Sequence, residues 1–174
     1  MIFTQTERLI IRSWKTEDIA LFKQMNKDKE VMKYFPALLS DAETEAFYER
    51  ISLEFQQKGY GLYAIELKAT KEFIGYVGLH QIGFKSDVVS GIEIGWRLAS
   101  KYHKCGYAPE AATAVITLAR KIGIKELYSF TAKINKPSER VMQKIGMTKL
   151  CEFNIPTLAA DSILNPHVLY KITL

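Results

Sequence analysis

The sequence predicts an α/β protein, layered in the α+β manner, in which a central mixed, mostly antiparallel β-sheet is flanked by helices. Three observations carry this. Ile92, Ile94, Trp96 and Leu98 alternate with Glu93, Gly95 and Arg97, the period of two that marks a strand. Farther on, Ala111, Val115, Leu118, Ala119 and Ile122 recur at spacings of three and four, the signature of an amphipathic helix. Upstream, Leu62 to Lys68 and Glu72 to Ile82 are strand-like runs joined at Ala69-Thr70-Lys71, as in a hairpin. Antiparallel strands thus come first and a strand–helix–strand unit follows. A length of 174 residues with 48% hydrophobic side chains suits one domain, residues 1–174, with a sizeable core.

Taken in order, Arg8 to Trp14 reads as the first strand, with Leu9 and Ile11 on one face. Thr16 is positioned to cap a helix through Asn26, with Glu17 and Asp18 in its first turn. Lys27 to Phe35 reads as a short second helix that ends before Pro36. Ser40 and Glu43 form a capping box opening a long helix to Lys58, and Gly59-Tyr60-Gly61 ends it. Ala46, Phe47, Ile51, Leu53 and Phe55 give that helix an imperfect apolar stripe. After the hairpin, Gly83 to Ser90 is a loop leading into the strand at Ile92. The following helix ends near Gly123, and Leu127 to Ala132 is a strand. Asn135 caps a helix through Lys144, closed by Gly146. Met147 to Phe153 is a strand, Ile155 to Pro166 a loop with two prolines, and His167 to Leu174 a last alternating strand.

Composition narrows the function classes. No run of 18 apolar residues is present, so no membrane span is expected. Charged residues interrupt what would be a signal peptide's apolar region, which points to a cytoplasmic protein. The formal charge of +5 is scattered, which argues against a nucleic-acid surface. Cys105 and Cys151 have no metal-binding or redox spacing and read as reduced thiols, and no metal is expected. No sequence feature places a base beside Cys105, so it reads as a spacer and not a nucleophile.

The connection from Leu98 to the helix carries chemistry. Lys104, Cys105, Gly106, Tyr107 and Ala108 make a tight loop in which Gly106 can adopt positive φ and Ala108 keeps bulk away. Pro109 sits in the first helical turn, where a missing N–H costs little. Free amides at the positive end of a helix dipole form an anion site suited to phosphate. Neither G-x-x-x-x-G-K-[ST] nor G-x-G-x-x-G is present, so an ATPase loop and a dinucleotide fold lack their signatures.

His103-x-x-Gly106-x-Ala108 resembles the Q/R-x-x-G-x-G/A motif of the Gcn5-related N-acetyltransferases (GNAT), and Asn135-Lys136-Pro137-Ser138 through Gly146-Met147 resembles the family's Asn-x-x-Ser/Ala helix. Thr6 to Arg12 and the helices after it are similar to the RimJ/RimL-type branch acting on ribosomal-protein N-termini, and to its spermidine and antibiotic acetyltransferase relatives. His103 stands where Gln or Arg is usual, and Lys104 where a small residue often follows. The likeness covers roughly residues 5–153 and implies a single GNAT domain using acetyl-CoA and an amine acceptor; no nucleic acid or membrane partner is expected on the composition, and a homodimer is left open. It further implies a cofactor cradle of Leu98, Ala99, His103, Lys104, Cys105, Gly106, Tyr107 and Ala108, with Asn135 and Ser138 across from it.

Transfer from a thioester to an amine needs a proton acceptor, an oxyanion site and a proton for the thiolate. Glu93 is the candidate base, since the family often uses a Glu from this strand; burial there would raise its pKa. The plainer alternative is a Glu paired with a neighbouring Lys or Arg. The family's thiolate-protonating Tyr is replaced by Met142, which leaves Ser138, Asn135 or water for that step. His80 and His103 are fallback bases. Three readings stay open: an acetyl-CoA-dependent N-acetyltransferase, an enzyme for another acyl group or for a polyamine or antibiotic, and a non-catalytic acyl-CoA-binding domain. Acceptor residues are expected from the early helices and residues 155–166.

Overall fold

The computed structural model describes all 174 residues. The chain opens with two antiparallel strands, β1 (Ile2–Gln5) and β2 (Leu9–Arg12), of which the sequence pattern predicts only the second. β1 lies at the sheet edge with every residue at least partly exposed, so it has no buried alternation to betray it. All four side chains of β2 are buried, including Arg12, which pairs with Asp18 at 2.7 Å and Glu66 at 2.6 Å.

Helix α1 spans Asp18–Lys27, and its N-cap is Glu17 with no side-chain cap bond, not Thr16. Asp18 explains the shift, because it is drawn into the Arg12 pair and accepts from the Lys15 amide at 2.8 Å. Residues 28–37 form turns in place of the expected second helix. Helix α2 (Asp41–Lys58) starts at the Ser40–Glu43 capping box and ends at Gly59 in the left-handed conformation, φ 73°. Ile51 is its buried anchor, whereas Leu53 faces solvent.

Strands β3 (Leu62–Leu67) and β4 (Phe73–Gln81) make the expected hairpin, and β5 (Ile92–Leu98) continues it antiparallel. A 3₁₀ turn at Ser100–Tyr102, absent from the sequence reading, precedes α3 (Tyr107–Lys121). Then come β6 (Glu126–Ala132), α4 (Lys136–Lys144), β7 (Thr148–Asn154) and β8 (Pro166–Thr173). All eight strands join one sheet in the order β1-β2-β3-β4-β5-β6-β8-β7. Only β5 and β6, joined through α3, run parallel.

Register sorts residues between two faces. On one face Leu9, Ile11, Tyr63, Ile65, Val77, Leu79, Ile94 and Leu98 meet Ala111, Ala112, Val115, Ile116 and Ala119 of α3 and Met142 of α4. Ile122, expected on this face, is exposed just past the end of α3. The alanines let α3 lie close against the sheet. On the other face Leu62, Ala64, Phe73 and Tyr76 pack under Phe22, Met25 and Ile51 of α1 and α2. Glu93, Gly95 and Arg97 of β5 belong to this second face, opposite His80, Gly78 and Tyr76 of β4.

Candidate active site

Lys104 at φ 62° and Gly106 at φ 80° flank Cys105 and turn the chain sharply into α3, with Gly106 as N-cap. No backbone N–H from Lys104 to Ala108 meets an acceptor within the chain. Unpaired amides at the N-terminus of α3 give the loop the electrostatic character of an anion site. Cys105 is exposed, and its thiol contacts only the His103 carbonyl, at 3.4 Å. His103 lies with Nε2 2.9 Å from the Leu98 carbonyl, so that nitrogen donates and the ring braces the loop against β5.

The loop has a second brace that the sequence does not announce. Arg8 Nη1 donates to the Cys105 carbonyl at 3.1 Å, and its Nε and Nη2 reach Glu110 Oε2 at 2.7 and 2.6 Å. The Arg8 guanidinium also lies 4.5 Å from the Tyr107 ring centre. Glu110 Oε1 accepts from the Thr6 hydroxyl at 2.5 Å and the Arg8 amide at 3.1 Å. Burial works against the Glu110 charge, but the bonds from Thr6 and Arg8 outweigh it and hold the carboxyl below its ordinary range. About a hundred residues separate these partners, so no local pattern links them.

Beside the loop the sheet parts. β5 pairs with β4 from Ile92 to Leu98, yet meets β6 at a single register pair, Glu93 with Tyr128. The Ala99 amide bonds to Ile74 and the Ile82 amide to Gly91, which fixes the ladder's alternation. That alternation directs the amides of Trp96 and Leu98 toward β6, beyond the point where pairing stops. Ala99 thus spends its amide on β4, while those of Trp96 and Leu98 find no partner in the sheet.

Glu93 stands at the closed end of this parting, in the last pair before the strands separate. Its side chain is half-buried. Burial pushes its pKa up to about 7, with His80 opposing the rise and Glu54 adding to it. Glu54 of α2 accepts from His80, Nδ1 to Oε2 2.6 Å, and from the Gln81 amide at 2.9 Å. His80 lies directly across from Glu93, so Glu54, His80 and Glu93 form one cluster. Sequence reasoning named Glu93 and His80 but missed Glu54, an unremarkable member of an acidic helix.

At the far side of the parting, Asn135 Oδ1 accepts from the Ser138 amide at 3.3 Å and its Nδ2 donates to Thr131 at 2.9 Å. The Ser138 hydroxyl has no partner in the chain and is partly exposed. Met142 is buried in the core beneath α4, at 1% exposure, and so serves packing. Residues 155–165 form the predicted loop; Asn165 donates to the Ala159 carbonyl at 2.7 Å and so ties the loop to itself.

An open amide loop, a parted sheet and a carboxyl titrating near neutrality suit transfer of an acyl group from a phosphate-bearing carrier. The sequence model of the acetyltransferase (GNAT) domain matches residues 8–148. The chain belongs to the GNAT acetyltransferase family. It is an N-acetyltransferase with relatives to match. The uncharacterized N-acetyltransferases YnaD and YoaA of Bacillus subtilis (strain 168) are 28% and 26% identical over 146 and 149 residues. Those alignments cover 83% of this chain in each case, and 81% and 82% of the relatives. The crystal structure of a GNAT-family acetyltransferase from Bacillus anthracis superposes with a TM-score of 0.80 at 25% identity, covering 99% of this chain and 98% of the other. RimL, the ribosomal L7/L12 α-N-protein acetyltransferase, solved with coenzyme A, shares the fold at a TM-score of 0.80 and 15% identity, covering 100% and 98%. So does the microcin C7 self-immunity acetyltransferase MccE, solved with acetyl-CoA and AMP, at 0.76 and 13%, covering 97% and 94%. The GNAT fold thus has neighbours that carry CoA or acetyl-CoA. No helix of this chain is long and apolar enough to cross a membrane.

Proposed function

We propose that residues 1–174 act as one GNAT domain that transfers an acetyl group from acetyl-CoA to a primary amine by direct attack, with Glu93 as base. The observation that carries this reading is the half-buried Glu93 carboxyl at the point where β5 and β6 part, held near neutrality by burial. A base with that pKa is half ionised at working pH and matches the proton it must take. The amides of residues 104–108 would hold the pyrophosphate, with His103 and Arg8 fixing the loop's shape. Leu98 and Ala99 border the carrier's path, and Asn135 and Ser138 face it from α4. Acetyl-CoA supplies the activated carbonyl. The amide of Trp96 or Leu98 is placed to meet its oxygen as charge develops, since neither is used by the sheet. The Ser138 hydroxyl, without a partner, is the donor that answers the leaving thiolate in place of Met142.

The likeness to RimL favours a protein or peptide N-terminus as the acceptor, and two free thiols suit a reducing, cytoplasmic setting. Incubation with acetyl-CoA and a panel of amines, read by mass spectrometry of the acetylated products, tests the reading. Absence of any product, together with absence of acetyl-CoA binding, defeats it.

A further inference from the structure

Arg97 is a buried cation with most of its hydrogen-bonding capacity unused. Its Nη1 donates to Asn26 Oδ1 at 2.6 Å, while Nε has no partner and Nη2 donates to nothing in the chain. The other buried charges are paired: Arg12 with Asp18 and Glu66, and Glu139 with Lys136. Arg97 instead faces rings, with Phe35 at 4.2 Å, Tyr76 at 5.6 Å and Phe47 at 5.8 Å from the guanidinium carbon. Ring faces attract a cation but give Nε–H no in-plane acceptor. A buried charge without a counter-ion is costly to keep, so its neighbourhood favours an incoming anion.

Its position on β5 says where that anion would come from. Glu93, Gly95 and Arg97 project from the same face of one strand. A Cβ built on Gly95 would meet only Glu93 Oε1, at 3.9 Å, so the floor between the two charged residues is open. One end of this slot is acidic, with Glu93 and Glu54 around His80; the other is basic. Their Cα atoms stand roughly 13 Å apart at the usual strand rise. The unpaired edge of Arg97, Nη2 with an Nε that its neighbours cover in the free protein, carries two parallel N–H groups, the fork that fits a carboxylate.

We propose that the acceptor carries a carboxylate that docks on the Nε–Nη2 edge of Arg97 while its amine faces Glu93, and that polyamines are rejected by the same cation. The proposal rests on the placement of the amine at Glu93, and it narrows the acceptor class within that reading. It makes Arg97 a specificity-determining residue.

The test uses primary amines in matched pairs, free acid against carboxamide, with one to three residues' length between amine and carboxyl, together with spermidine. The free acids should have kcat/KM roughly 10- to 100-fold above their amides, the worth of a charge-assisted hydrogen-bonded pair. Arg97→Met should collapse that ratio toward one, and Arg97→Lys should restore part of it. A ratio near one in the wild type, or spermidine as the best acceptor, overturns the proposal. So does a ratio unchanged in Arg97→Met, the result expected if Arg97 only braces Asn26. If no amine turns over, melting shifts of the CoA-saturated protein with each pair decide: equal shifts, including none, overturn the proposal, and a larger shift for the acid upholds it. The Glu93 reading fails separately, if Glu93→Gln keeps full turnover while the acid–amide ratio persists.

Discussion

Burial holds Glu93 near pH 7 in the fold against a usual value of 4.5, and this has two consequences of opposite sign. As a base Glu93 works ionised, so the rate should climb as pH rises through about 7. Glu93→Gln should lower turnover by about 10²–10⁴-fold and flatten that limb, while acetyl-CoA affinity stays; calorimetry and pH–rate profiles check both. Stability should move the other way. The folded state keeps a proton between 4.5 and 7 that the unfolded chain releases, so wild-type stability falls as pH rises across that window. Melting scans should therefore find Glu93→Gln more stable than wild type above pH 7, with the two converging below 4.5. Glu93 was singled out through the resemblance to a family that often uses a Glu from this strand, and its place on the strand was readable from the alternation. Glu54 was not, since what marks it is His80, a neighbour in space that lies 26 residues away. Arg97 was read only as the polar half of an alternation; its unpaired state is a property of the fold.

At the scale of elements, the loop 103–108 depends on two things, the left-handed turn at Gly106 and the clamp from Arg8 and Glu110. Gly106→Val forces a β-branched residue into φ 80° and brings its Cβ within 3.4 Å of Arg8 Nη2. Such strain costs about 1–3 kcal/mol, and acetyl-CoA affinity measured by calorimetry should fall with little change in acceptor binding. Arg8→Ala leaves the Glu110 carboxylate uncompensated beside the anion site, and acetyl-CoA should bind roughly tenfold more weakly. Adding Glu110→Gln to that variant should recover part of the loss, because the repelling charge goes too; a double variant no better than the single refutes the clamp. Elements with local signals were legible: the Ser40 capping box, the Asn135 cap and the hairpin at Ala69 to Lys71. Those decided by distant contacts were not. Asp18 shifted the start of α1 because Arg12 claims it, and residues 28–37 form turns where a helix was expected.

For the molecule as a whole, the order of strands followed from a simple rule, antiparallel neighbours first and one parallel crossover through α3. The pairing of β6 with β8, leaving β7 at the edge, had no counterpart in the sequence pattern. The parting of β5 from β6 had none either, since both strands read as ordinary alternations. A ligand that binds only the native state stabilises it by mass action, about 2.7 kcal/mol at a hundredfold excess over Kd. Acetyl-CoA should therefore raise the melting temperature, and acetate should not. An unchanged transition at millimolar acetyl-CoA would count against this site.

The single Glu93–Tyr128 backbone pair between β5 and β6 also bears on how the sheet breathes. Five strands lie on one side of that seam and three on the other, stitched by one backbone rung and the packing of α3 and α4. An amide-bearing chain slipped into the seam would act as a short extra strand, borrowing the idle N–H groups of Trp96 and Leu98. Deuterium uptake at those two amides should then be fast in the free protein and slow once the carrier is bound. The enzyme would in that sense be an unfinished sheet, closed for as long as its donor stays.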